Sequence, residues 1–200
     1  REINRDSIQK LISGFGKSDI NKLIFISTCS NYGMIEDGCK ADEDFPLTPL
    51  SLYAEDKVGN ETYLKNNIDS FNFSHTILRF ATAFGVSPRM RFDLSVNEFV
   101  YDAFTEKKLE IYDADTWRPY CHVLDFANLI ELVLKAPNEQ TDKQIFNAGG
   151  DLNNFTKRDL VELIRKQVPD LEIKFVTGGN DPRNYVVDFS KVRDSLGFEP

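Results

Sequence analysis

The sequence predicts an α/β fold built on a parallel sheet, and three successive segments support this. Residues 23–26 form a short continuous apolar run, which is typical of a buried parallel strand. A helical stretch follows from about residue 52 to residue 66, and residues 76–80 form the next strand-like segment. Because a strand, a helix and a strand in this order form a βαβ unit, the two strands are expected to lie parallel.

A helix is predicted before this unit, and a long loop inside it. The helical spacing is carried by Ile8, Leu11, Ile12 and Phe15, and the run is ended by Gly14 and Gly16. Residues 27–50 contain two glycines and two prolines, which favours a loop between the first strand and the helix that follows.

The second half of the chain alternates between the same two kinds of element. Helices are predicted at 94–104 and about 125–135, and strands at 109–112, 145–148 and 172–176. Thr156 is expected to cap a helix that runs to about residue 167, because Asp159 stands in its first turn. Ser190 is expected to cap a last short helix.

The composition limits the classes of function. The net charge of −8 argues against nucleic acid or an anionic membrane as a main partner, although a small anionic substrate needs only a local basic pocket. The three cysteines, Cys29, Cys39 and Cys121, show no CxxC spacing, so neither a disulfide framework nor a metal site is expected. A cytoplasmic location is the expectation, since no apolar run approaches the ~20 residues of a membrane span and no signal peptide is visible.

Tyr53, Lys57 and Thr28 are the candidate catalytic residues. Tyr53 and Lys57 stand four positions apart, so they share one face of the predicted helix. Thr28 ends the apolar strand and can meet that face. A phenol, an ammonium and a hydroxyl together suggest a tyrosine that moves a proton near neutral pH. The Tyr-x-x-x-Lys spacing alone is weak, because it also fits a surface helix turn with an exposed lysine.

Five further segments, in the same order along the chain, resemble motifs of one known family. Residues 27–33 resemble an "SS/T…VYG" segment, 78–85 an "LR…N.YG" strand, 117–125 an "RD.[IV]HV.D" segment, 146–150 an "FN.G" strand end and 183–198 an "R…D..K…LG" ending. Together they resemble the extended short-chain dehydrogenase/reductase family, in its nucleotide-sugar branch. The resemblance implies a Rossmann-type doubly wound parallel sheet with a smaller C-terminal α/β substrate domain.

The resemblance implies specific roles for the catalytic residues. Tyr53 is expected to be the general acid/base, Lys57 and the positive nicotinamide to lower the tyrosine pKa, and Lys57 to hold the nicotinamide ribose. Thr28 is expected to hydrogen-bond the reacting oxygen, and Phe80 and Ala81 to border the cofactor. The cofactor is NAD, and NADP is not excluded.

A nucleotide sugar is the implied substrate. Arg118 and Arg183 are the candidates for its diphosphate, because a guanidinium donates two parallel hydrogen bonds to phosphate; a surface salt bridge is the alternative. Thr28, Thr82, Arg91 and Asn97 are further substrate candidates. His122 is expected to pack structurally.

Cys29 and Ser30 narrow the implied chemistry. Sugar 4,6-dehydratases of the family carry Asp-Glu at these positions, and GDP-fucose-synthase-like enzymes place a cysteine where Ser30 stands. What remains is oxidation–reduction at C4 by a 4-epimerase, or by a 4-dehydrogenase or 4-ketoreductase, with a 4,6-dehydratase as a further alternative. Two alternatives are not enzymes. One is a non-catalytic dinucleotide-binding relative, and the other is a structural partner in polysaccharide assembly.

The resemblance also implies a domain division and a fragment. Residues 1–84, resumed at about 113–149, are expected to be the C-terminal part of an NAD-binding Rossmann domain, and 85–112 with 150–200 the substrate-binding domain. The GxxGxxG loop of the family is missing, so the chain by itself is expected to bind NAD poorly. A homodimer is implied, in which Val58, Thr62 and Leu64 contribute to a contact between helices.

Overall fold

A parallel sheet of three strands forms the centre of the computed structural model, which describes residues 2–16, 18–36, 38–179 and 181–200. Strand β1 (Lys22–Thr28) pairs with β2 (Ser74–Phe80), and β2 pairs with β6 (Gln144–Ala148). All of these pairings are parallel, so the carboxyl ends of the three strands lie along one edge of the sheet.

Helices cover both faces of this sheet. Helices α1 (Ser7–Phe15) and α2 (Leu52–Asn66) bury Ile12 and Leu64 against one face. Helices α4 (Val123–Lys135) and α7 (Ser190–Leu196) bury Leu129 and Val192 against the other face. Apolar side chains of successive strand residues point to opposite faces, which requires cover on both sides. The predicted α/β class with a doubly wound parallel sheet is confirmed.

The remaining helices are α3 (Ser95–Thr105), α5 (Asn138–Thr141) and α6 (Lys157–Arg165), with a π-helical turn at Glu2–Asp6 and 3₁₀ turns at Cys29–Tyr32, Ile68–Ser70 and Asp151–Asn153. Helices α3 and α6 agree with the sequence pattern apart from their ends, whereas the short helix α5 was not predicted. Thr156 and Asp159 form the predicted cap of α6 as a reciprocal capping box. The predicted cap at Ser190 is wrong, because Phe189 occupies the cap position and the Ser190 hydroxyl donates to Asp188 instead.

A second sheet contains three short strands that the sequence pattern did not reveal. Strand β5 (Trp117–His122) pairs in parallel with β3 (Thr82–Phe84) and antiparallel with β7 (Asn154–Thr156). These strands are short and partly polar, and β5 contains a proline, so they lack a clear strand period.

The smaller sheet consists of β4 (Lys108–Tyr112) and β8 (Glu172–Val176), paired in parallel. It packs on α3 and α6 in a separate apolar cluster that includes Ile111 and Val161. Tyr185 and the apolar residues after it pack instead in the cluster of the central sheet. The predicted division at residue 150 therefore stays a prediction, since the last segment contributes to the larger core.

Within the described ranges, every helix is too short or too polar to cross a lipid bilayer.

Candidate active site

The start of α2 places Tyr53 and Lys57 beside the end of β1. The Ser51 hydroxyl accepts a hydrogen bond from Ala54 N at 3.2 Å, which caps the helix and fixes its first turn. Tyr53 is the second residue of α2, and Lys57 follows one turn later. Thr28 is the last residue of β1, and its Oγ1 accepts a hydrogen bond from Ser30 N at 3.1 Å.

The Lys57 side chain is hydrogen-bonded to the main chain of β1. Its Nζ donates to the carbonyl oxygen of Ile26 at 2.6 Å and lies 5.0 Å from the centre of the Phe25 ring. Burial lowers the pKa of Lys57, and the negative charge of Glu61 acts in the opposite direction. The ammonium is therefore held by α2 and β1 together.

The Tyr53 phenol is half-exposed, at 49% of its full accessible surface. Burial raises its pKa, and Lys57 Nζ lies 5.7 Å from the centre of its ring. The Lys57 ammonium is directed to the Ile26 carbonyl, and the lowering of the Tyr53 pKa by Lys57 together with a bound nicotinamide stays a prediction. The phenol is protonated at neutral pH in this environment.

A buried ion pair joins α2 to β2 directly below these residues. Arg79 Nη2 lies 2.7 Å from Glu61 Oε2, and Glu61 Oε1 accepts from Ser27 Oγ at 2.5 Å and from Asn31 Nδ2 at 2.9 Å. Sequence reasoning missed this pair. Its signal was present, because Arg79 is a charge inside an apolar strand and Glu61 stands one helical turn after Lys57.

The same network connects three of the family segments. Arg79 Nη1 donates to Tyr32 OH at 2.9 Å, and that hydroxyl donates to Asn147 Oδ1 at 2.6 Å. Burial raises the pKa of Tyr32. Tyr32 and Asn147 thus hold the carboxyl ends of the strands together and face no cleft.

Cys29 and Ser30 are also engaged in internal contacts. The Cys29 thiol is 1% exposed and donates to the carbonyl oxygen of Arg79 at 3.1 Å. Burial raises the pKa of this thiol far above its usual range. The Ser30 hydroxyl lies 3.3 Å from the hydroxyl of Tyr185. Neither side chain is an acid at neutral pH.

Tyr53 and the predicted diphosphate ligands line two adjoining cavities, which together are called the cleft below. A part of about 790 Å³ is lined by Ser51, Tyr53 and Arg183 among others. An adjoining part of about 440 Å³ is lined by Thr82 and Arg118 among others. The two parts share four lining residues, which are Tyr112, Lys157, Asp181 and Arg183. The cleft therefore joins the acid/base candidate to the two arginines.

Asp181 lies between the two arginines. Its carboxylate accepts two hydrogen bonds from Arg183, from Nε at 2.7 Å and from Nη2 at 2.7 Å. Arg118 Nη2 lies 3.1 Å from Asp181 Oδ2, and the Arg118 guanidinium stacks over the Tyr185 ring at 4.9 Å. Burial raises the pKa of Asp181, but the arginine hydrogen bonds and charges outweigh it and hold the pKa well below its usual range.

Some substrate and cofactor candidates do not line this cleft. Arg91 forms an exposed ion pair with Asp93 at 2.7 Å. Asn97 Oδ1 accepts from Gly85 N and its Nδ2 donates to the carbonyl oxygen of Arg91, each at 3.0 Å. These two side chains are thus committed to the loop between β3 and α3, and their substrate roles stay predictions.

The predicted cofactor neighbours lie at the carboxyl edge of the central sheet. The Phe80 ring stacks on Phe126 at 3.8 Å, and Ala81 N donates to the carbonyl oxygen of Ala148 at 2.9 Å. Their cofactor roles stay predictions. His122 packs its ring on Phe84 at 5.4 Å and accepts from Leu124 N, as a structural residue does.

The predicted role of Leu64 in a dimer contact is wrong. Leu64 is fully buried, because it packs with Phe25 and Ile77 under α2. Val58 is half-buried and Thr62 is exposed, so both remain candidates for such a contact.

The sequence matches the model of the NAD dependent epimerase/dehydratase family over residues 2–149. The chain belongs to this family. A curated relative, the low-salt glycan biosynthesis protein Agl12 of Haloferax volcanii, is 28% identical over 98% of this chain and 62% of its own length. The chain thus spans about three fifths of that family member.

Solved structures share the fold. DesIV, a dTDP-glucose 4,6-dehydratase of Streptomyces venezuelae crystallised with NAD and TYD, superposes with a TM-score of 0.84 at 24% identity, over 100% of this chain and 61% of its own. A UDP-glucuronic acid 4-epimerase of Bacillus cereus, crystallised with UDP-glucuronic acid and NAD, also gives 0.84 at 24% identity, over 98% and 62%. The Rossmann-type expectation is confirmed.

Proposed function

We propose that this chain contributes the acid/base tyrosine and the substrate cleft of an enzyme that oxidises and reduces C4 of a nucleotide-linked sugar, as a 4-epimerase does. The observation that carries the proposal is that Arg183 lines two adjoining cavities, one of which is also lined by Tyr53 and the other by Arg118. Membership of the family supports it, and so does the fold shared with a UDP-glucuronic acid 4-epimerase.

The residues present fit the nicotinamide end of NAD. Lys57 is fixed on the Ile26 carbonyl beside the half-exposed Tyr53, so the two side chains would hold the nicotinamide ribose, with Phe80 and Ala81 nearby. When bound, NAD supplies the hydride acceptor. The 200 residues contain no GxxGxxG loop for the dinucleotide diphosphate, so they do not choose between NAD and NADP.

Two side chains of this chain would move and orient the proton. Tyr53 accepts the proton of the sugar hydroxyl as general base and returns it as general acid. Thr28 Oγ1 already accepts a hydrogen bond from Ser30 N, so its own hydroxyl hydrogen is available to the reacting oxygen. Because burial raises the pKa of Tyr53, its deprotonation requires additional positive charge next to the phenol.

The residues after β1 favour C4 oxidation–reduction over 4,6-dehydration. Elimination of water needs an acid near C6. At this point the segment contains the buried Cys29 thiol and the Ser30 hydroxyl instead of a carboxylic acid. A 4-dehydrogenase or 4-ketoreductase uses the same three residues and is the alternative. Because the chain shares its fold with DesIV, 4,6-dehydratase activity is also an outcome that the substrate screen tests.

A screen of UDP-, GDP- and dTDP-sugars with the full-length protein tests the proposal. Tyr53→Phe is expected to lower turnover by roughly 10²- to 10⁴-fold, the usual contribution of a general acid/base. Tyr101→Phe is the matched control, since Tyr101 is a half-exposed tyrosine on α3 outside the cleft. Turnover of Tyr53→Phe at the parent rate would refute the role of Tyr53.

A non-catalytic dinucleotide-binding relative is the second candidate. The half-exposed Tyr53 beside a fixed Lys57 speaks against it, because a protein that only binds needs no accessible phenol. Dinucleotide released from the purified protein, without turnover of any sugar in the screen, favours this candidate.

We also infer a homodimer through α2, with Val58 and Thr62 at the contact. Sedimentation of the full-length protein measures it, and a monomer at all concentrations contradicts it.

A further inference from the structure

Lys157 is a third cation of the cleft, and the sequence motifs did not point to it. It is the first residue of α6 and lines both parts of the cleft. Its Nζ donates one hydrogen bond, to the carbonyl oxygen of Tyr112 at 2.7 Å. An ammonium group has three donors, so two of them are available for a ligand.

The position of this ammonium is well defined by the fold. The Thr156 hydroxyl accepts from Asp159 N at 3.1 Å and Asp159 Oδ2 accepts from Thr156 N at 2.8 Å, which fixes the first turn of α6. Arg158 N donates to the carbonyl oxygen of Ala114 at 2.8 Å. A group presented from a fixed turn loses less conformational entropy when it binds a ligand.

The three cations of the cleft share one carboxylate. Asp181 lies between Arg118 and Arg183 and is already engaged by both guanidinium groups. Burial lowers the pKa of Lys157, Asp181 counteracts this, and the positive charges of Arg118 and Arg183 lower it further. Lys157 is therefore near enough to both arginines to be repelled by them.

Asp113, which accepts from Gly178 N at 3.1 Å, also counteracts the lowering of the Lys157 pKa, and the other acidic residues of the cleft do not neutralise this cluster. Asp93 pairs with Arg91 at 2.7 Å, and Glu110 pairs with Lys174 at 2.7 Å. Glu98 lines only the part that contains Thr82. Like charges gathered around one carboxylate are unfavourable by themselves, and they become favourable when a ligand brings two or more negative charges.

We propose that Lys157 binds the diphosphate of the nucleotide sugar together with Arg118 and Arg183, and that Asp181 is the internal counter-ion which the diphosphate replaces. This rests on the proposed function for the identity of the ligand. It adds a binding residue that comes from the smaller α/β unit, so this unit contributes directly to recognition of the diphosphate. A diphosphate is favoured over a monophosphate because it can contact all three cations at once.

Calorimetric titration of the full-length protein with UDP, dTDP and GDP tests the inference. Lys157→Ala is expected to weaken binding of the nucleoside diphosphate that binds best by about 10- to 100-fold, the loss expected for a charge-assisted hydrogen bond. Lys157→Arg keeps the charge and is expected to retain most of the affinity. Lys166→Ala is the control, because Lys166 is an exposed lysine at the opposite end of α6.

A comparison of UDP with UMP separates diphosphate binding from a merely structural role. Lys157→Ala is expected to lose more affinity for UDP than for UMP, whereas a general loosening of the fold lowers both equally. Equal affinities of the parent and Lys157→Ala for the best nucleoside diphosphate overturn the inference. So does the absence of binding by all three nucleoside diphosphates to the parent.

The binding test of Lys157 does not depend on turnover of a sugar. If Lys157→Ala loses affinity while Tyr53→Phe keeps full activity, the diphosphate site stands and the proposed chemistry fails. If Tyr53→Phe is inactive and Lys157→Ala binds like the parent, the chemistry stands and this inference fails.

Discussion

Arg79 and Glu61 form an ion pair of 2.7 Å between β2 and α2, and each side chain is only 1% exposed. Glu61 stands one turn after Lys57 on the helix that also carries Tyr53. The pair therefore fixes the distance between α2 and the sheet. Its location under the candidate site means that a change in the pair affects both stability and the position of Tyr53.

Breaking this pair from one side is expected to destabilise the protein strongly. Glu61→Leu leaves the Arg79 guanidinium charged and buried, which costs about 3–5 kcal/mol of unfolding free energy. The double variant Glu61→Leu/Arg79→Met is expected to lose less than the sum of the single variants, because no buried charge stays unpaired. Urea denaturation measures these values.

The exposed pair between Glu110 and Lys174 provides the control for this comparison. Lys174→Ala is expected to change the unfolding free energy by less than about 1 kcal/mol, since Lys174 is 65% exposed. Equal decreases in unfolding free energy for Lys174→Ala and Glu61→Leu would contradict the expectation that the buried ion pair is the more costly one to break.

Gly33 and Gly14 are expected to respond to alanine in opposite directions. Gly33 has a φ of 71°, and a Cβ there overlaps the carbonyl oxygen of Thr48. Gly33→Ala is expected to cost about 3 kcal/mol of unfolding free energy. Gly14 lies in α1, and a Cβ there meets no described atom within 4 Å. Gly14→Ala is expected to gain about 0.5–1 kcal/mol in the same urea titration. A decrease in unfolding free energy for both variants would contradict the expectation that only Gly33 needs to be a glycine.

The elements that sequence reasoning predicted correctly are those with a local signal. Strand β1 contains the uninterrupted apolar run 23–26, the strand at 76–80 is apolar apart from Thr76 and Arg79, and the cap of α6 depends on two residues three positions apart, Thr156 and Asp159. In contrast, β3 and β5 exist because they pair with each other across 38 residues of chain, from Thr82 to Tyr120. Pairing at that separation leaves no trace in a local window.

Tyr53 and Lys57 were predicted from their spacing on one helix face, and the rest of the candidate site was predictable only where a family segment marked it. Arg118 and Arg183 stood in such segments, and the structure brings both to one cleft with Tyr53. Lys157 stands in a helix-start pattern that describes local structure, and Asp181 is an ordinary loop residue in the sequence. Their importance comes from contacts between distant segments, which only the folded chain shows.

Removal of the Asp181 charge is expected to strengthen the binding of diphosphate. Asp181→Asn keeps the size of the side chain but no longer competes for Arg118 and Arg183. A partly exposed ion pair is worth up to ~1 kcal/mol, so the affinity for UDP is expected to rise by about fivefold. Calorimetry measures it, with Asp115→Asn as a control at the exposed Arg158 ion pair. A fall in affinity would mean that Asp181 positions the arginines.

Binding of UDP is expected to weaken as the pH rises, earlier than for an ordinary lysine. In the free protein the pKa of Lys157 is lowered from 10.5 by burial and by Arg118 and Arg183, against the opposing charges of Asp181 and Asp113. The ammonium loses its proton as the pH rises through this lowered value, and its contact with phosphate is lost with it. Below that value the lysine stays charged, so binding is expected to be independent of its titration.

Titrations with UDP from about pH 8 to pH 10 measure this dependence. Lys157→Arg is expected to give a flat profile over the same range, because arginine keeps its charge. The same alkaline loss in Lys157→Arg would assign the dependence to another group.

The amide of Asn97 holds both ends of the loop that precedes α3, through Gly85 N and the carbonyl oxygen of Arg91. Residues 86–90 lie between these two anchors. Their length and composition can vary without displacing the strand before the loop or the helix after it. Substitutions within residues 86–90 are thus expected to leave β3 and α3 in place as long as Asn97 keeps both contacts.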